Sequence, residues 1–129
     1  MKPTTVKILY WSATILFALM MFMDGIGGIT KQQAGIEVMK HLGYPEYVLT
    51  IFGIAKIAGA IAVIQTRFHT IKEWAYAGFT FNFIGAMMSR ALAGDKTFEI
   101  MFPIAPALLL FASYFLWKKY EELQATRVV

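Results

Sequence analysis

The stretch YVLTIFGIAKIAGAIAVIQT, residues 47–66, decides the fold. It carries a single charged side chain, Lys56, near its middle. As a helix rising about 1.5 Å per residue, a segment of this length crosses a hydrocarbon core of about 30 Å. Three more apolar blocks of similar length occupy residues 6–23, 74–92 and 98–117. None has the wide polar face that a helix in a soluble bundle requires. The full chain of 129 residues is 58% hydrophobic and 16% charged, whereas soluble domains average about 45–50% and about 25%. The sequence therefore predicts an all-α fold: a four-transmembrane-helix bundle in one domain over residues 1–129, with the lipid bilayer as its first partner.

The net charge of +4 does not indicate nucleic acid, because the basic residues gather at the ends of the apolar blocks instead of forming a patch. The chain has no cysteine, which excludes disulfides and thiolate metal sites. Lys2 and Lys7 precede the first block like a signal peptide, but "MFMDGIGG" (21–28) offers no small-x-small cleavage site, so the block reads as a retained helix. Four crossings put both termini on one side, together with Lys2, Lys7, Arg67, Lys72, Lys118, Lys119 and Arg127. The other side holds only Lys31, Lys40, Arg90 and Lys96. That excess predicts a multi-pass protein of the cell membrane with both termini cytoplasmic. Trp11, Trp74 and Trp117 all fall at the same predicted ends, where indole rings favour the interface.

Between the first two blocks, "DGIGG" reads as a helix exit, followed by a short amphipathic helix over 31–42. Thr30 and Gln33 have capping-box spacing, and "GYP" (43–45) stops the helix. This helix is expected either to lie on the outer membrane surface or to cap the mouth of the bundle.

Lys56 needs an explanation. A charge at the centre of a spanning helix costs about 2.5–3.5 kcal/mol, and each apolar neighbour returns only about 0.3–0.6 kcal/mol. It is therefore expected to be neutral, to pair with a buried acceptor such as Asn82 or a freed backbone carbonyl, or to face a ligand cavity. Gly53 and Ala60 leave room beside it on its own helix. The third block carries a stripe of small residues, Ala75, Gly78, Asn82, Gly85, Ala86, Ser89 and Ala93. That stripe reads as the seam of the bundle or as the wall of a ligand cavity. Pro103 and Pro106 in the fourth block would free the carbonyls near Glu99 and Phe102. Asp24 and Arg90 lie at similar depth towards the outer side, where they either form an ion pair at the mouth or act as independent interfacial residues. Glu73 reads as a surface partner of Arg67 or Lys72. Ala55, Gly59 and Ala62 offer a face for lateral pairing into a homo-oligomer.

"HLGYPEYVLTIFGIAKIAGAIAVI" (41–64) followed by "FHTIKEWAYAGFTFNFIGAMMSRALAGD" (68–95) resembles the DoxX-like family of small four-helix integral membrane proteins. The resemblance implies the bundle already expected and places the family's intramembrane lysine at Lys56. It places the family's "EWAYAG" element at Glu73, Trp74, Ala75, Tyr76, Ala77 and Gly78. The family commonly has histidine where this chain has Arg90, so a proton-transfer role is not carried over to that position. Some members are linked to quinone-dependent oxidoreductase systems, and wider relatives are assigned to membrane-protein assembly.

Catalytic and metal-binding constellations are not evident. His41 and His69 lie on opposite sides of the membrane, which excludes a shared haem. No catalytic triad, phosphate loop or carboxylate pair appears, and no metal is expected. The first functional expectation is a binding module or accessory subunit whose midplane pocket takes a quinone-like or lipid-like molecule. Its residues are Lys56, Asn82, Gly53, Ala60, Gly78, Gly85 and Ser89. The alternative is an assembly or chaperone-type partner that grips another membrane protein through small-residue helix faces.

Overall fold

The computed structural model describes residues 2–128, with side chains as far as Gln124. Arg127, counted above among the basic residues, lies outside the residues whose side chains are described. The elements are α1 (Pro3–Ile29), α2 (Gln33–Leu42), α3 (Tyr47–Ile64), α4 (His69–Leu92), α5 (Thr97–Met101) and α6 (Ile104–Val128). The bundle consists of α1, α3, α4 and α6 packed up and down. Tyr10 near the start of α1 stacks on Tyr120 near the end of α6 at 5.5 Å, so both termini lie at one end of the bundle.

α1, α3 and the segment Thr97–Gln124 are long and apolar enough to cross a membrane. α4 has the length but is more polar, because Lys72, Glu73, Asn82 and Arg90 interrupt it. Leu, Ile, Phe and Met side chains such as Ile8, Leu19, Met23, Ile54, Phe81 and Phe115 are exposed around the bundle. Exposed apolar area on this scale is rare in soluble monomers and matches a hydrocarbon surrounding. The protein is a membrane protein.

The core is aromatic. Phe17 of α1 meets Phe79 and Phe83 of α4 edge-on at 4.9 and 6.1 Å, with Val63 of α3 and Leu110 of α6 fully enclosed beside them. Such edge-to-face pairs add about 0.5–1.5 kcal/mol beyond burial.

The closest helix contact joins α1 to α3. A Cβ built on Gly53 would lie 2.6 Å from the Gly25 carbonyl oxygen, and one on Gly28 would lie 2.7 Å from that of Leu49. Only glycine allows backbones to meet this closely. The contact also explains why "DGIGG" stays helical instead of leaving the helix as expected: tertiary packing outweighs the helix cost of glycine, about 1 kcal/mol each. Because α1 continues to Ile29, Thr30 caps that helix, its hydroxyl donating to the Ile26 carbonyl at 2.9 Å. The expected capping box with Gln33 does not form, and Gln32 is the N-cap of α2.

The fourth block is broken at Phe102–Pro103 into α5 and α6. Pro106 sits in the first turn of α6, where no helical N–H is required of it. The Glu99 carbonyl accepts from the Phe102 N–H at 3.4 Å, so it is not freed for Lys56.

Candidate functional site

α3 and α4 touch where the Phe79 ring covers Gly59, a Cβ on which would meet that ring at 2.7 Å. Towards the end of the bundle away from the termini the two helices diverge and leave a groove of about 780 Å³. That volume lies within the range of small-molecule sites, about 300–1,000 Å³. The small-residue stripe of α4 lines the groove through Ala75, Gly78, Asn82, Gly85, Ala86 and Ser89, opposite Phe52, Ala55 and Lys56 of α3. A Cβ on Gly78 or on Gly85 would meet nothing within 4 Å. The stripe is therefore an open wall, and the internal seam lies between α1 and α3 instead. Of the face made by Ala55, Gly59 and Ala62, Gly59 is covered by Phe79, whereas Ala55 is exposed and lines the groove.

Of the residues expected around a ligand, Lys56, Asn82, Gly78, Gly85 and Ser89 line this one groove. Gly53 and Ala60 do not. Gly53 is pressed against Gly25 and Ile29 of α1, and Ala60 is buried in the core. They share a broad helical face with Lys56, but packing turns their side of it towards α1.

Lys56 has a companion, and it is neither Asn82 nor a backbone carbonyl. Its ammonium donates to Oδ2 of Asp24 on α1 in an ion pair. Of the two readings of Asp24 and Arg90, the mutual ion pair does not form: Arg90 donates to Asp95 at 3.2 Å. The reason is topological: α1 packs tightly along α3, which sets Asp24 beside Lys56, while Arg90 at the end of α4 reaches only the following loop. Among the described residues none hydrogen-bonds the Asn82 amide. The groove thus presents an ammonium, an uncommitted amide and apolar walls. Both polar groups can donate hydrogen bonds to an oxygen atom.

The far end of the groove is covered by α2, whose Met39 and Leu42 join its lining along with Tyr44. The Tyr44 hydroxyl pairs with the Ser89 hydroxyl at 2.5 Å, and His41 Nε2 contacts the Asp95 carboxylate. The Asp95 side chain is only 3% exposed, and the His41 hydrogen bond, then the Arg90 one, hold its carboxyl below the usual 3.8. Between the two expected placements, the contacts favour the cap. Gly43, at φ 84°, ends α2 in the left-handed conformation that glycine accepts without strain.

A polar network at the termini end was not legible in the same way. Lys72 is 1% exposed, its amine donating to the Tyr10 hydroxyl and, at 2.7 Å, to the Val63 carbonyl. It thus caps the C-terminal end of α3, where helical carbonyls lack partners. Glu73 consequently pairs with Lys118 of α6, and neither Arg67 nor Lys72 serves as its partner. Deeper in, Ser113 bridges Thr14 at 2.6 Å and the Tyr76 hydroxyl at 2.7 Å, all three buried. Tyr76 of the "EWAYAG" element is buried in this network and stacks on Trp117 at 5.5 Å. Trp74 projects outward at 71% exposed, as an interfacial anchor should, whereas Trp117 is a core residue. One signal points to the network in hindsight: Tyr10/Thr14, Lys72/Tyr76 and Ser113/Trp117 are polar or amphipathic pairs spaced by four residues, each facing inward from a separate helix.

Neither a curated protein nor a solved structure matches the chain. The model of the DoxX-like family matches residues 12–113, which takes in α1 from Ser12 onward, the groove, the Lys56–Asp24 pair and α6 as far as Ser113. With the match running over most of its length, the chain belongs to the DoxX-like family.

Proposed function

We propose that the protein is a membrane-embedded binding module that holds a quinone-like or lipid-like molecule in the α3–α4 groove, alone or as the accessory subunit of a redox system. The observation that carries this reading is the groove itself, with walls that are mostly apolar and Lys56 and Asn82 among its polar contacts. Binding sites for apolar molecules have this anatomy of greasy walls and a few oriented polar groups. An intramembrane charge facing a cavity also points to a site more often than to packing. Ser89 and Tyr44 add hydroxyls near the capped end, roughly 10 Å from Asn82 at helical rise. The excess of basic residues at the termini end supports a cytoplasmic placement of both termini.

The test fills the groove from its open wall. Gly78→Leu and Gly85→Leu have room in the fold and occupy the cavity. Purified variants that melt like the parent protein but lose its co-extracted quinones or lipids, read by mass spectrometry, support the reading. Variants that keep the same small molecules at the same stoichiometry refute it. The unpartnered Gly78–Gly85 wall also supports the assembly-partner alternative, in which a helix of another membrane protein lies in the groove. In that case the leucine variants lose a co-purifying protein and no small molecule.

A further inference from the structure

The charge balance of the groove carries the reading above to the class of ligand. Lys56 is the only charged side chain among the lining residues, and its charge is already answered by Asp24. Asp24 approaches from α1, is not part of the lining, and has its side chain 56% exposed. An ammonium has three donors. One is directed to Asp24, which leaves two for the groove beside the uncommitted Asn82 amide. The site therefore offers hydrogen-bond donors without offering net positive charge.

We infer that Asp24 is a specificity-determining residue, which neutralises Lys56 so that the groove selects uncharged, carbonyl-bearing amphiphiles and rejects anionic ones. This rests on the groove being the binding site. A carbonyl oxygen takes an N–H from Lys56 or Asn82 and leaves the ion pair intact. An anionic head at the same place lies roughly 5 Å from the Asp24 carboxylate, given ordinary hydrogen-bond lengths about one ammonium. The Lys56 ammonium, nearer at roughly 3 Å, attracts that head, but repulsion from Asp24 offsets much of the attraction and leaves the cost of taking the anion out of water unrepaid. Solvation of the half-exposed Asp24 weakens the repulsion, and a discrimination of at least about tenfold survives that discount. Lysine alone would do the reverse and draw anions into the groove. The inward ammonium supplies the hydrogen bond, and the carboxylate behind it determines which head group may accept.

Two photoreactive probes of equal chain length test this in phosphatidylcholine nanodiscs at equal membrane loading: an alkyl N,N-dimethylamide and an alkyl sulfonate, each carrying a diazirine. Labelling of α3 and α4 peptides is read by mass spectrometry. The intact protein is expected to take the amide at least about tenfold over the sulfonate. Asp24→Asn is expected to raise sulfonate labelling about tenfold or more and leave amide labelling within about threefold. Lys56→Met added to Asp24→Asn removes that gain. If Asp24→Asn does not fold, the ratio in the intact protein decides alone, and equal labelling by both probes overturns the inference. An unchanged ratio in folded Asp24→Asn overturns the role of Asp24 while leaving the groove as a site. Failure of both probes to label the groove in the intact protein overturns the groove reading and this inference together.

Discussion

Gly53→Ala tests the packing that positions every other feature. The added methyl would sit 2.6 Å from the Gly25 carbonyl oxygen and 3.0 Å from the Ile29 nitrogen, and both of these atoms belong to backbone. Carbon–oxygen contacts between helices ordinarily begin at about 3.3 Å, so α1 and α3 must part by roughly 0.7 Å. A gap of that size forfeits about a quarter to a half of the dispersion energy along the seam. Overpacking of this kind costs about 1–3 kcal/mol, and the better helix propensity of alanine returns about 0.5–1 kcal/mol. The expected result is a net loss of about 1–2 kcal/mol. Gly78→Ala is the matched control, because its methyl meets nothing within 4 Å. It keeps the propensity gain alone, so the two variants should differ by about 2 kcal/mol. Unfolding by SDS titration in mixed micelles, followed by far-UV circular dichroism, measures that difference. Equal midpoints, or a Gly53→Ala variant more stable than Gly78→Ala, would refute the assignment of the seam to α1–α3.

Lys72→Met removes the donor to Val63 and Tyr10, and leaving buried groups unsatisfied costs about 1–3 kcal/mol. The same titration should move by that amount, with faster amide exchange in the last turn of α3; unchanged exchange there would refute the capping role. The Asp95 carboxyl has its folded-state value depressed by His41 and Arg90. The stabilisation it contributes is therefore present above its ordinary 3.8 and is lost as pH falls through the lower folded value. Fastening of α2, read by amide exchange across Gln33–Leu42, should hold down to that range and loosen only below it. Asp95→Asn should exchange quickly at neutral pH, and an Asp95→Asn protein protected like the parent would remove the fastening role from this residue.

The spanning segments and the short helix between the first two were legible in the sequence alone, because hydropathy over about 20 residues reports whether a segment can enter lipid regardless of its neighbours. The resemblance carried by "AKIAGA" and "KEWAYAGF" was legible for the same local reason. So was the peculiarity of Lys56, since its cost arises from depth. Tertiary structure alone decided which way each helix turns and which helices meet. Gly78 and Gly85 have the same seam-like spacing as any packing motif, but only the divergence of α3 from α4 makes them a groove wall. Asp24 becomes the companion of Lys56 because Gly25, Gly28 and Gly53 draw α1 against α3. Lys72, which by its place near a helix end should face head groups, turns inward because the end of α3 leaves carbonyls there in need of a donor. Rotation and pairing depend on contacts between residues distant in the chain, and no local pattern of polarity encodes them.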